Sequence, residues 1–335
     1  ACNQACLDHV FQRKRASCLV NPRACYETEL NFPPTNGRKK LAVIGAGPAG
    51  LSFATYAAKR GHDVHLFDKA AEIGGQFNYA KQIPGKEEFF ETLRYYANLI
   101  DEVGVTLHLE SEQSVDSIVD ANFDEVIIAT GIKPRDLNIE GIDHEKVMTY
   151  LDVLRDHKPV GDKVAVIGAG GIGFDVSEFL AEEHSAALDL KVWQAEWGID
   201  ADYQNRGGLK QPEHQPSKRQ IYLMQRKDTK VGKGLGKTSG WVHRSTLKNK
   251  NVEMMAGVNY LAINDDGLLI EIDGQQRLLE VDNVIVCAGQ LPLAELLAPL
   301  QAAGQTVHLI GGADVAAELD AKRAIKQGAE LAAAI

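Results

Sequence analysis

The sequence predicts an α/β fold of two doubly wound parallel sheets, the second inserted into the first. Three observations carry this. LAVIGAGPAG at 41–50 and KVAVIGAGGIG at 163–173 are each a β-branched strand running into G-x-G-x-x-G. The glycines fall at Gly45, Gly47 and Gly50, then at Gly168, Gly170 and Gly173. In that pattern the first glycine permits a tight turn, the second lets a pyrophosphate approach backbone, and the third lets helix pack on strand. Amphipathic segments alternate with short apolar strands after each motif, as parallel sheets require. Lastly, DEVIIATG at 124–131 and DNVIVCAGQ at 282–290 repeat one pattern on either side of the second motif. The first fold is therefore interrupted and completed at the C-terminus. Phosphates favour helix N-termini, where amides are unpaired and the dipole attracts negative charge. Two such cradles predict Rossmann-like domains that hold two dinucleotides face to face.

Residues 1–36 lack clean periodicity and carry Arg13, Arg15, Arg23, Pro33-Pro34 and four of the five cysteines. They read as an irregular segment draped on another domain. Gly37-Arg38-Lys39-Lys40 is a turn before the first strand. A helix over 48–60 stops at Gly61, and the strand DVHLF at 63–67 ends in Asp68. Lys86 to about Gly104 reads as an amphipathic helix, followed by the strand VTLHLE. After the second motif, a helix over 172–183 leads to an insertion at roughly 195–218, rich in Gly, Gln and Pro. LDLKVWQ at 188–194 reads as the next strand by ordinary spacing, and QIYLMQRK at 220–227 resumes the fold. Strands near 252–262 and 267–272 alternate as a meander does. TVHLIGGAD at 306–314 and a helix over 315–334 finish the chain. The expected domains are an N-terminal cysteine segment at 1–36, a first dinucleotide domain at 37–155 plus 286–335, and a second at 156–285. DEVIIATG and DNVIVCAGQ are the expected connecting strands.

The chain's 335 residues suit two domains, and 44% hydrophobic content is enough for real cores. A net charge of −10 makes nucleic acid and anionic membrane poor partners. No apolar run reaches the roughly 18 residues of a membrane span, and the polar N-terminus is no signal peptide. These features predict a cytoplasmic protein. Ala1 in place of Met reads as the start of a fragment.

Asp68, at the end of the second strand, stands where an acid accepts hydrogen bonds from an adenosine ribose. Gly74-Gly75-Gln76 lets a ligand meet backbone, as does Ala129-Thr130-Gly131 at the end of a buried strand. Gly311-Gly312-Ala313-Asp314 is expected to open the last helix, with Asp314 placed for a hydroxyl. In the second half no acid ends LDLKVWQ, whereas Arg226 and Lys227 end QIYLMQRK. Guanidinium forks match phosphate oxygens, so this pair favours the 2′-phosphate of NADPH over NADH. VGKGLGKTSGW at 231–241 imitates a phosphate loop, but Val231 stands where its first glycine belongs. A flexible loop near the nicotinamide is expected there.

GAGPAG, the ATG strand and the late GGAD together resemble the disulfide-reductase-like flavoproteins. That resemblance covers 40–335 and implies FAD in the first fold and NAD(P)H in the second. ACNQACLDHVF…SCLVNPRAC, IGGQFNYAKQIPGKEEF, EWGID, GLGKTSGWVHR and AELDAKRAI further resemble the bacterial NADPH-dependent 2,4-dienoyl-CoA reductases and their trimethylamine dehydrogenase relatives. In that family a TIM barrel carries FMN and the proton donors, and C-x2-C-x3-C-x11-C binds a [4Fe–4S] cluster. By this match Cys2, Cys6 and Cys18 are the second to fourth cluster ligands, with the first upstream of the chain. Gln4 lies beside the cluster and FMN, Cys25 is structural, and Cys287 is a buried thiol in an apolar strand. A structural zinc site is the alternative for the cysteine run, though paired C-x2-C knuckles are lacking. The match also assigns Ala49, Asp68, Gln76, Lys86 and Asp314 to FAD, with Ala321, Lys322 and Arg323 nearby. The resemblance implies hydride transfer from NADPH to FAD, then single electrons through the cluster to FMN, which reduces 2,4-dienoyl-CoA in unsaturated fatty acid oxidation. No side chain of this piece is expected to act as a catalytic acid or base. The relatives also leave open a second cradle that holds ADP as a structural ligand.

Overall fold

The computed structural model describes residues 2–316 and 320–335. The described chain forms two compact units: residues up to Lys81 with Glu88–Lys133 and Gln290–Ile335, and Gln82–Glu87 with Pro134–Gly289. Segments 82–87, 134–155 and 286–289, expected in the first domain, thus lie in the second unit.

The first unit is built on a five-stranded parallel sheet in the order Val307–Leu309, Glu125–Ile128, Lys40–Ile44, Asp63–Phe67, Thr106–His108. The C-terminal strand does complete the sheet begun at residue 40. Leu41, Ala42 and Val43 are fully buried, because helices cover both faces of a parallel sheet. The helix Pro48–Lys59 starts on a proline, whose missing N–H costs nothing at a helix's first position. The helix Glu88–Val103 buries Thr92, Leu93, Tyr96 and Ile100, an i, i+1, i+4, i+8 stripe on one face. The last helix, Ala321–Ala334, crosses Pro48–Lys59 at close range. A Cβ on Gly328 would sit 2.4 Å from the Ala49 carbonyl oxygen, and Ser52 Oγ donates to Ile325 O at 2.7 Å.

The second unit carries a parallel sheet in the order Val147–Thr149, Asn283–Val286, Lys163–Ile167, Gln220–Met224, Glu253–Met255. A three-stranded antiparallel meander follows from Asn259–Asn264, Gly267–Ile272 and Gln275–Leu279.

Two element expectations need correction. LDLKVWQ is no strand: Leu190–Glu196 is a helix. Asp189 Oδ1 caps it, accepting from the amides of Lys191 and Val192 at 2.9 and 3.2 Å. The sheet slot beside Lys163–Ile167 is taken by Gln220–Met224. The last helix opens at Ala321 rather than 315, capped by Asp320, whose Oδ1 accepts from Lys322 N at 3.0 Å. Gly311–Ala313 forms a separate 3-10 turn, and residues 317–319 of the AELDAKRAI string lie outside the described residues. Glu125–Ile128 and Asn283–Val286 are core strands of the two sheets. The chain changes unit just after them, where Ile132–Pro134 pairs with Gln290–Pro292.

Candidate functional site

In the first cradle, Gly45 turns the chain out of its strand at φ 110°, a region that side chains rarely enter. A Cβ there would lie 2.4 Å from Ala129 O, and one on Gly50 would lie 1.9 Å from Gly45 O. Those two glycines are required by the fold. Gly47 is different: it caps the helix, and a methyl on it would meet nothing closer than Gly75 Cα at 4.0 Å. The helix N-terminus is thus left open for an anion. Gly74 N donates to Ala46 O at 2.8 Å, which seats the Gly74-Gly75-Gln76 segment against the glycine loop. Gln76 caps the short helix Phe77–Ala80.

Asp68 is held at the loop by two amides. Its Oδ2 accepts from Ala46 N at 2.7 Å and its Oδ1 from Ala70 N at 2.8 Å. A carboxylate has about four acceptor positions, so ribose hydroxyls can still be bound. Ala49 and Ala129 are buried. The Thr130 hydroxyl donates to Leu293 O, and Gly131 O accepts from Leu293 N at 3.0 Å. A Cβ on Gly312 would lie 3.1 Å from the Gly131 carbonyl carbon, so these two loops approach through backbone.

The turn at Gly311 to Asp314 is held by the last helix. Gln327 Oε1 accepts from Gly311 N and Gln327 Nε2 donates to Asp314 Oδ2, both at 2.8 Å. Arg323 donates to Gly311 O at 3.4 Å and to Val315 O at 2.7 Å. Lys322 pairs with Asp320 at 2.9 Å, and Ala321 begins the helix. Asp314 and Gln327 also line a cleft of about 540 Å³ beside the strand Val307–Leu309. Sequence reasoning missed Gln327. The only signal was its place one helical turn after Arg323.

In the second unit the glycine roles repeat. Gly168 has φ 108°, and a Cβ on it would lie 2.9 Å from Ala288 N. One on Gly173 would lie 1.7 Å from Gly168 O. Gly170 caps the helix Gly171–Ala181, and a Cβ on it would meet nothing within 4 Å. Arg226 and Lys227 follow the strand Gln220–Met224 and are exposed. Neither forms an ion pair among the described residues. Gln225 shapes the turn that presents them: its Nε2 donates to Lys227 O at 2.9 Å and to Thr229 O at 2.7 Å. Gly257 N donates to Lys227 O at 3.2 Å from the far side.

Lys86 lies in this unit, its Nζ 2.5 Å from Asp175 Oδ1 on the helix Gly171–Ala181. The FAD contact implied by resemblance therefore falls on a lysine already engaged by a carboxylate. On the same helix, Glu178 is buried and its Oε1 lies 2.8 Å from His243 Nδ1. Burial pushes the Glu178 carboxyl above its ordinary range, against the opposing pull of His243. The expected flexible loop at 231–241 is anchored at its start. Val231 is buried, a Cβ on Gly232 would touch the Phe174 ring at 2.7 Å, and Arg244 donates to Gly232 O at 2.9 Å.

Cys287 is buried, and burial raises its thiol well above the usual range, so it is no nucleophile. Cys25, read as structural, is exposed and sits at φ 63°. Cys6 and Cys18 are exposed and Cys2 is half-buried. Ser17 N donates to Ala5 O at 2.6 Å, which draws the Cys6 and Cys18 segments together along the backbone. Among the described residues no three His, Cys, Asp or Glu side chains gather as metal ligands.

The pattern of the pyridine nucleotide-disulphide oxidoreductases matches residues 39–323. The metal reductase of Desulforamulus reducens is 32% identical over 93% of this chain and 46% of its own length. The bilirubin reductase of Mediterraneibacter gnavus is 28% identical over 98% of this chain and 45% of its own. Among solved structures, a complex of 2-naphthoyl-CoA reductase with 2-naphthoyl-CoA superposes with a TM-score of 0.86 at 30% identity, covering 100% of this chain and 46% of that one. The thioredoxin reductase of T. acidophilum shares the fold at 17% identity and a TM-score of 0.58, covering 88% of this chain and 96% of that one. The chain spans under half the length of these curated relatives.

Proposed function

The chain belongs to the pyridine nucleotide-disulphide oxidoreductase family, and on that premise we propose that it is the FAD- and NADPH-binding electron-input module of a larger, 2,4-dienoyl-CoA reductase-type enzyme. The observation that carries this reading is the pair of helix N-termini at Gly47 and Gly170: among the described residues a Cβ on Gly170 would meet nothing within 4 Å, and one on Gly47 nothing closer than Gly75 Cα at 4.0 Å. In the first unit, Gly47, Asp68, the Gly74–Gln76 segment and Asp314 hold FAD. In the second, Gly170 receives the pyrophosphate of NADPH, and Arg226 and Lys227 grip its 2′-phosphate. FAD, when bound, supplies a ring system that accepts a hydride and releases electrons singly. The side chains bind and orient; none donates or removes a proton.

The finer reading places FMN in a barrel outside this chain and a [4Fe–4S] cluster on Cys2, Cys6 and Cys18. It rests on the cysteine spacing and on 30% identity to a 2-naphthoyl-CoA reductase.

The test is anaerobic titration of the FAD-loaded chain with NADPH and NADH. Bleaching of the flavin by NADPH is expected. Arg226→Ala should raise the KM for NADPH about tenfold or more, the worth of a hydrogen bond to a charged group, and leave NADH unchanged. Equal effects on both coenzymes would remove the 2′-phosphate assignment. Tight ADP binding without flavin reduction would mark the second cradle as structural.

A further inference from the structure

Resting on the assignment of Asp314 to the flavin nucleotide, we propose that Gln327 is a positioning residue for FAD, aiming the Asp314 carboxylate from the last helix. The sequence holds no motif for this role. The amide is used at both ends: Oε1 accepts from Gly311 N and Nε2 donates to Asp314 Oδ2. Only a side chain with a donor and an acceptor can bridge those two groups. Arg323 cannot substitute, having donors alone; it holds the carbonyls of Gly311 and Val315 instead. The two side chains, one helical turn apart, thus clasp the turn on its amide and carbonyl sides.

The clasp fixes more than a loop. Gly311 has φ 66°, and a Cβ on it would lie 2.7 Å from Ala49 Cβ, so the turn presses against the start of the helix Pro48–Lys59. Asp314 is exposed, and its other oxygen, Oδ1, carries no hydrogen bond among the described residues. Gln327 therefore immobilises one oxygen of a surface carboxylate and leaves the other for a ligand hydroxyl. An unheld aspartate would sample several rotamers and lose that entropy on binding.

The experiment measures FAD affinity of the full chain, stripped of flavin and reconstituted, by quenching of flavin fluorescence between pH 5 and 8. Thermal melting of the stripped protein runs alongside. Gln327→Ala should raise the Kd for FAD about tenfold at every pH. Gln327→Glu sets two carboxyls face to face, and they bind a shared proton at low pH. Its Kd should approach wild type near pH 5 and climb to the Ala value by pH 8. Arg323, and Glu330 and His308 in the adjoining cleft, are ionisable groups nearby, and the wild-type profile corrects for them. A residue that merely supported the fold would lower the melting temperature in both variants without this pH-dependent rescue, and that outcome overturns the proposal. Asp314→Ala separates the two levels. If it weakens FAD while both Gln327 variants bind normally, Gln327 has no positioning role. If it leaves the Kd unchanged, the flavin assignment of Asp314 falls and the role of Gln327 with it.

Discussion

Gly170→Ala isolates ligand binding from folding. Gly170 sits at φ −86° and ψ −169°, extended backbone that alanine adopts without strain. A methyl there touches no protein atom within 4 Å. Folding should therefore be unharmed, and restriction of the unfolded chain should add up to about 0.5–1 kcal/mol of stability. The pyrophosphate, however, must approach that backbone to reach the helix N-terminus, and the methyl occupies its path. Loss of one to two hydrogen bonds to a charged group costs about 2–4 kcal/mol, or roughly thirty- to a thousandfold in KM for NADPH. Gly173→Ala is the contrast. Its methyl would lie 1.7 Å from Gly168 O, a backbone atom that cannot step aside. That variant should fail to fold or melt far earlier. The assay pairs thermal melting with the KM for NADPH measured through flavin reduction. A Gly170→Ala protein with normal KM would refute the view that this opening receives the coenzyme.

Other outcomes follow from the packing and charges. Gly328→Ala gains about 1 kcal/mol of helix propensity but forces a methyl against the backbone of Ala49 and Phe53 at 2.4 and 3.0 Å. Overpacking of about 2–3 kcal/mol should win, lowering the melting temperature by several degrees; a rise would mean the helices are further apart. Asp152 caps the helix Tyr150–Leu154 with Thr149 and pairs with Lys158. Burial alone would raise its carboxyl, but the bonds from Lys158 and Thr149 prevail and bring it to about 2. Its folded pKa is depressed, so its contribution is complete above about pH 4 and is lost as pH falls through about 2. Asp152→Asn should cost about 1 kcal/mol in urea melts at pH 7 and almost nothing at pH 2; an equal cost at both would show that charge is not involved. A thiol reagent should label Cys6, Cys18 and Cys25 in the native protein and Cys287 only after unfolding.

The two glycine loops, the strand order and the C-terminal return of the first sheet were legible because each rests on local chemistry. A left-handed φ at Gly45 and Gly168 and helix–strand contact at Gly50 and Gly173 demand glycine whatever the rest of the chain does. LDLKVWQ was misread because alternating apolar residues also fit a short exposed helix, and the Asp189 cap decides between them. The late start of the last helix was hidden for a related reason. Asp314 and Asp320 are both good caps, and only the turn at Gly311–Ala313 shows which one begins a helix. Gln327 was invisible because its partners are a backbone amide and a carboxylate fixed by tertiary folding, not by sequence spacing.

The two cradles share their three glycines and differ at the end of the second strand. In the first unit that place is Asp68, drawn onto the glycine loop by Ala46 N. A carboxylate there welcomes ribose hydroxyls and repels a phosphate on the same sugar. In the second unit the corresponding strand, Gln220–Met224, is followed by Gln225, which turns inward to hold Lys227 O and Thr229 O. The neutral amide removes the repulsion, and the turn it builds carries Arg226 and Lys227 outward. Asp228 comes next and is exposed, so it is the one carboxylate at this turn that could restore preference for an unphosphorylated ribose. Arg226→Ala with Lys227→Ala should therefore lower affinity for NADPH and leave NADH near its wild-type KM, because Asp228 remains. Adding Asp228→Ala should then weaken NADH alone. If the triple variant treats both coenzymes as the double variant does, Asp228 faces away from the ribose and coenzyme choice rests on the cations alone.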